Sequence, residues 1–205
     1  MALSDAILVC LTDGPATGYD LAKRFDTSIG FFWKAEHQQI YRELASLREK
    51  RLVDSREVVQ SGKPNKLVYT LTPAGREALQ AWARRPSKPS VRKDELLLKF
   101  YALEDIDIGP LRADVMTRME HHAARLTRFE RIMEKRFAEL PTDRAELGKL
   151  LGLRMGLRYE RAVVEWCEDA LETLAKLEAA ETVVSFEKEA RPNNVRSGSA
   201  RTKPR

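Results

Sequence analysis

Between His37 and Leu71 a short amphipathic segment, HQQIYRELASLREKRLV, runs into two β-like segments joined at SGKPN, and this order leaves few folds open. Advancing ~100° per residue from Ile40, the increment of a 3.6-residue turn, puts Ile40, Leu44 and Leu47 on one face. Gln38, Arg42, Ala45, Ser46 and Glu49 fall opposite, with Gln39 and Tyr41 on the flanks. The segment is therefore a helix with one buried stripe and one polar face. Val53 to Gln60 and Lys66 to Leu71 are rich in β-branched and aromatic residues. In the second of these, Leu67, Tyr69 and Leu71 alternate with Lys66, Val68 and Thr70, the period of a strand buried on one side. Ser61 to Asn65 is a turn with cationic residues at its tip and on the outgoing strand.

Upstream, Leu3, Ile7, Leu8 and Leu11 share a helical face, and Asp13-Gly14-Pro15 closes that helix. Thr17-Gly18 opens a second, short helix, Tyr19 to Phe25, in which Leu21, Ala22 and Phe25 are the buried face and Lys23 and Arg24 look outward. Phe31, Phe32 and Trp33 are too apolar for a free loop and are expected to plug the core. Downstream, Thr72-Pro73 supplies an N-cap and a first-turn proline for a helix whose inner side holds Leu79 and Trp82. Three helices followed by a basic-tipped hairpin are the order of a winged helix-turn-helix, in which the third helix enters the major groove and the wing touches phosphates. Gln and Arg at the start of the third helix are the side chains that make bidentate contacts with adenine and guanine edges. A winged helix that docks protein is the competing reading, but such a surface favours aromatic anchors over this set.

Pro86 and Pro89 mark a boundary, because neither fits a helix interior. Beyond it Asp94 to Leu103 forms a compact apolar helix. A long one follows Gly109-Pro110, with Leu111, Val115, Met119, His122, Leu126, Phe129, Met133 and Phe137 at spacings of three and four. The last long helix, about Asp143 to Glu181, carries one seam through Tyr159, Val163, Trp166, Ala170 and Leu174 and another through Leu157, Val164 and Leu171. Two seams need more than one partner. Either the short helix covers one of them within the chain, or a second copy does; the second reading makes Leu157, Val164, Trp166, Leu171 and Leu174 dimerisation residues. The expected fold is mainly α (α+β): a winged helix-turn-helix with a two-stranded wing over residues 1–86, a long-helix dimerisation domain over 90–182, and a flexible basic tail over 183–205.

The net charge of +5 does not by itself argue for nucleic acid. Residues 1–86 carry 13 basic against 10 acidic groups, residues 87–189 carry 18 against 21, and residues 190–205 carry 5 against none. The excess thus equals the tail, which is either a polyanion-binding arm or a solvated terminus. Cys10 and Cys167 lie far apart in apolar helical patterns and read as buried thiols. No phosphate-cradling glycine loop, nucleophile elbow or close set of metal ligands appears, so neither an enzyme nor a cofactor is expected. His121 and His122 point ~100° apart on a helix and cannot easily share one ion, which leaves a metal sensor as a minor alternative. The opening MALSDAILVCL lacks a cationic leader, and no run reaches the ~18 apolar residues of a membrane span, so the expected location is the cytoplasm.

With GPATGYDLAKRF, FFWKAEHQQIYRELASLREKRLV and GKPNKLVYTLTPAGREALQAW in this order, the chain resembles the PadR family of bacterial transcriptional regulators, in the longer form with a helical C-terminal dimerisation region. The resemblance is close over residues 3–86 and architectural over 94–180. It implies Gln38, Gln39, Tyr41 and Arg42 at the groove-facing start of the third helix, with Tyr41 either at DNA or packed on the flank. It further implies Lys63, Asn65 and Lys66 in the wing and Tyr19 and Lys23 near phosphate. A homodimer on a palindromic double-stranded operator, acting as a repressor released by a small and often aromatic effector, is what such a family implies. Trp82 and Tyr101 then either line an effector pocket or are ordinary core. Where Arg51 stands the family usually has glycine, so a left-handed helix cap there would be strained or replaced.

Overall fold

The computed structural model describes residues 3–27, 29–31, 33–62, 65–87 and 93–190, with backbone alone at 27, 31 and 181–190. The chain divides into two compact units, Met1–Val91 and Arg92–Arg205.

In the first unit α1 (Leu3–Leu11), β1 (Ala16–Thr17), α2 (Gly18–Thr27), a single 3₁₀ turn (Ile29–Phe31) and α3 (His37–Glu49) precede β2 (Val53–Val58), β3 (Lys66–Leu71) and α4 (Pro73–Ala83). Ile40, Leu44 and Leu47 are fully buried, as their shared face requires, against Ile7, Leu8, Leu11, Leu21 and Phe25. Trp33 packs on this core, whereas Phe32 and the Phe31 side chain, expected beside it, lie outside the described residues. The sheet has three strands rather than two, in the order β1-β3-β2, with Ala16 opposite Tyr69 and Thr17 opposite Val68. Two residues show no period of two, so β1 is invisible to pattern reading. Tyr69 is buried, but Leu67, expected on the same buried face, is 42% exposed because the hairpin runs out beyond the core. Gly62, at the wing tip, has φ 72, a left-handed conformation that a glycine adopts without a Cβ clash.

Arg24 is a second departure. It does not look outward: its Nη1 donates to the carbonyl of Cys10 at 2.5 Å and is partly buried. A guanidinium there satisfies a last-turn carbonyl of α1 and meets the negative end of that helix.

The end of α3 keeps its left-handed cap although arginine occupies it. Arg51 has φ 57; its N–H donates to the carbonyl of Arg48 and that of Leu52 to the carbonyl of Leu47, both at 2.9 Å, the paired bonds of a Schellman motif. An L-residue there costs about 1–2 kcal/mol, which the extra chain entropy of glycine partly offsets. Arg51→Gly is therefore expected to stabilise the chain by about 0.5–1 kcal/mol, read as a higher urea midpoint at unchanged slope. A lower midpoint would show that the Arg51 side chain contributes more than the backbone relief.

In the second unit α5 (Glu95–Phe100) and α6 (Ile108–Arg136) pack with α7 (Arg144–Ala190). Asp107 caps α6 by accepting the Gly109 N–H at 3.0 Å. Arg112 meets Glu178, Arg161 meets Glu130 and Arg136 meets Glu146, so α6 and α7 run antiparallel. Of the seam Tyr159, Val163, Trp166, Ala170 and Leu174, Val163 and Leu174 are buried within the chain and the other three are half-buried. Leu96, Leu111, Val115, Val163, Cys167 and Leu174 form one buried cluster, with Trp166 and Leu171 packed on it. Phe100 meets Trp166 edge to face at 5.5 Å between ring centres. Leu174 is buried in this cluster, while Trp166 and Leu171 are half-buried at its edge. Leu157 and Val164 are only half-buried.

Glu160 sits between the helices at 1% exposure, its Oε2 2.5 Å from His122 Nδ1 and its Oε1 2.9 Å from Arg125 Nη2. α7 continues to Ala190, so residues 183–190, expected to begin the tail, are helical backbone. The stretch has no glycine or proline before Pro192 to stop it.

Candidate nucleic-acid interface

The N-terminus of α2 is built by a reciprocal cap. Thr17 N–H and Oγ1–H donate to Asp20 Oδ2 at 3.0 and 2.7 Å, and Asp20 N–H donates to Thr17 Oγ1 at 3.1 Å. The Thr17 side-chain hydrogen bond, and then its backbone one, hold the Asp20 carboxyl below the usual aspartate range; the charge of Lys66 adds to this. Lys66, the first residue of β3, therefore stands near the cap of α2. Tyr19 projects from the same turn with 68% of its surface exposed, and Lys23 follows one turn later, also exposed.

α3 begins with a second cap. The Glu36 N–H donates to Gln39 Oε1 at 3.2 Å, so this glutamine, read from the sequence as a base reader, is engaged in closing its own helix. The spacing of Glu36 and Gln39 carries that signal, with Glu in place of the usual Ser or Thr. His37 Nε2 lies 3.1 Å from Asp26 Oδ2 and ties the start of α3 to the end of α2. Gln38 and Arg42 are exposed on the polar face. Tyr41 is 49% exposed, with its ring laid against Gly18, so it is both a packing residue and a surface one.

In the wing, Asn65 Nδ2 donates to Glu57 Oε1 at 2.8 Å, a bond that joins the two strands; Lys66 is exposed, and Lys63 lies outside the described residues. Gln38, Tyr41 and Arg42 of α3, Tyr19 and Lys23 of α2, and Asn65 and Lys66 of the wing thus present exposed side chains from one compact unit. Amide and guanidinium donors suit base edges, and tyrosine and lysine suit phosphate oxygens.

Trp82 is half-buried on α4 in the first unit, while Tyr101, at the end of α5 in the second, is 92% exposed. Neither lines the open cleft of about 360 Å³ between α5 and α6, whose walls include Lys99, Arg118, His121 and His122. Its two strong cations are matched: Arg118 donates bidentately to Asp94 at 2.7 and 2.8 Å, and Lys99 bonds Asp114. Among the described residues no group of three or more His, Cys, Asp or Glu is placed to hold a metal ion, and no helix is long and apolar enough to cross a membrane. Cys10 and Cys167 are both buried, and burial pushes the Cys10 thiol up to about 11.

The family model of the PadR-like transcriptional regulators matches residues 7–81, and that of the virulence activator alpha C-terminal region matches residues 92–175. A protein of Mycobacterium tuberculosis described as a probable transcriptional regulator is 35% identical over 185 residues, spanning 85% of this chain and 98% of its own. The negative transcriptional regulator PadR of Bacillus subtilis is 31% identical over 178 residues, with the same two shares. Its structure in complex with operator DNA superposes with a TM-score of 0.73, covering 84% of this chain and 98% of that one, and its complex with p-coumaric acid gives 0.67. The Vibrio cholerae virulence activator AphA is 32% identical, with a TM-score of 0.69 over 86% of this chain and 99% of that one. On identity and coverage together, this chain belongs to the PadR-like family of transcriptional regulators.

Proposed function

We propose that the protein is a homodimeric repressor that binds a palindromic operator through α3 and the wing and leaves it when a small aromatic acid binds. The observation that carries this reading is the exposed set Gln38, Arg42, Tyr19, Lys23 and Lys66 in one winged-helix unit, in a chain 31% identical to a regulator solved on its operator. The relative's complex with p-coumaric acid supports the effector class. Support for a second copy comes from α7, where Leu157 and Val164 are half-covered and Leu151 and Met155 are 58% and 66% exposed, an apolar stretch that association would bury. A two-fold axis would then present two α3 helices to half-sites about one helical turn apart.

A gel-shift titration on the promoter of the neighbouring operon, repeated across salt concentrations, tests the reading. Affinity is expected to fall steeply with salt, because phosphate contacts release counterions; a flat dependence would exclude operator binding of this kind. Arg42→Ala is expected to reduce discrimination between operator and random duplex by about 1–3 kcal/mol, the worth of a bidentate base contact. Equal weakening on both duplexes would assign Arg42 to phosphate instead. Activation is the second reading, favoured by the Vibrio relative's name, and transcription from the bound promoter in the purified system separates the two.

A further inference from the structure

Gly18 is buried at the first residue of α2, yet it is not one of the glycines in the left-handed region. Its backbone does not require glycine, so the reason for it must be space. An added Cβ would stand 2.3 Å from Cε1 and 2.9 Å from Cδ1 of Tyr41. The ring of Tyr41 therefore rests in the place where a side chain at position 18 would be, while 49% of that residue stays exposed. Three elements meet at this point. Thr17, immediately before the glycine, pairs with Val68 of the wing strand and caps α2 with Asp20, and the tyrosine belongs to α3.

We propose that Gly18 is a positioning residue for operator recognition: by carrying no side chain it seats the Tyr41 ring against the start of α2 and so sets how far the Tyr41 hydroxyl reaches from α3. This rests on the operator-binding reading of the same surface. The bare backbone of one residue aligns a side chain of the recognition helix with the helix before it and, through Thr17, with the wing. A methyl at position 18 cannot coexist with the ring in its present place. The ring is the far end of a flexible side chain, so the relief is rotation of Tyr41 outward rather than unfolding. Alanine is also a better helix residue than glycine, which keeps the effect on stability small.

The test is a double-mutant cycle of Gly18→Ala and Tyr41→Ala. Each variant is titrated against a labelled duplex carrying the promoter upstream of its operon and against a random duplex, with thermal midpoints measured alongside. Gly18→Ala is expected to weaken promoter binding about tenfold, a change of ~1.4 kcal/mol, with its thermal midpoint close to that of wild type. In the Tyr41→Ala background the same substitution is expected to change nothing, because the ring it displaces is gone. A loss that persists undiminished without the Tyr41 ring, unaltered promoter affinity in the single variant, or a loss matched by a large fall in midpoint would each overturn the proposal. A wild-type protein that retards neither duplex would instead remove the operator-binding reading beneath it.

Discussion

Glu160→Ala is expected to lower the stability of the second unit by about 3 kcal/mol, because it removes one member of a buried charged cluster and leaves the others behind. Glu160 is 1% exposed, and its two oxygens face His122 at 2.5 Å and Arg125 at 2.9 Å across the α6–α7 boundary. Without the carboxylate, His122, whose side chain is only 16% exposed, loses the acceptor at Nδ1. The Arg125 side chain is 35% exposed and can turn partly to water, which places the loss at the lower end of the range for broken buried pairs. Differential scanning calorimetry should show a fall in the midpoint of roughly 10 °C. Glu160→Gln, which keeps the volume and an acceptor for His122 but no charge for Arg125, is expected to lose about half as much. A Glu160→Ala protein that melts with wild type would mean that α6 and α7 are held by their apolar seam alone.

In the first unit the corresponding weak point is Gly75→Ala, with an expected loss of about 2–3 kcal/mol from forced overpacking. The first turn of α4 is pressed onto the end of α3. Thr72 Oγ1–H is shared between the carbonyls of Arg51 at 2.8 Å and Leu52 at 3.0 Å, and the Gly75 N–H donates back to Thr72 Oγ1 at 3.0 Å. A Cβ on Gly75 would lie 2.1 Å from the Leu52 carbonyl oxygen and 2.9 Å from Leu71 Cδ1. The carbonyl is backbone and cannot rotate away, so α4 must retreat and the Thr72 bonds must lengthen. Urea denaturation should show a lower midpoint at an unchanged slope. A midpoint within about 0.5 kcal/mol of wild type would mean that α4 can shift without cost to the cap. The contrast with Gly18 is physical: there the obstructing atoms belong to a side chain that can swing out, here to a carbonyl that cannot.

The winged-helix order was legible because each element there signals itself locally. Ile40, Leu44 and Leu47 share a helical face and all three are fully buried, and Thr72-Pro73 announces α4 and does accept the Gly75 N–H. What escaped the sequence was set by partners distant along the chain. β1 is two residues long and exists only because β3 lies beside it. Arg24 looked like a solvated cation until the last turn of α1 came within reach of its guanidinium. Glu160, embedded in the run Arg158-Tyr159-Glu160-Arg161, reads as surface charge, yet it is enclosed because α6 brings His122 and Arg125 against it.

The candidate interface divides in the same way. The residue types and spacing at the start of α3 fixed which side chains face outward, since Gln38 and Arg42 must oppose a stripe of Ile40, Leu44 and Leu47 on any straight helix. Only the tertiary structure decided that Tyr41 leans on Gly18 and that Trp166 meets Phe100 of α5 edge to face. Helical periodicity tells which face a residue occupies, and does so from neighbours three and four positions away. It carries no information about which remote segment will cover that face, because that choice depends on the combined burial and hydrogen bonding of all the elements at once.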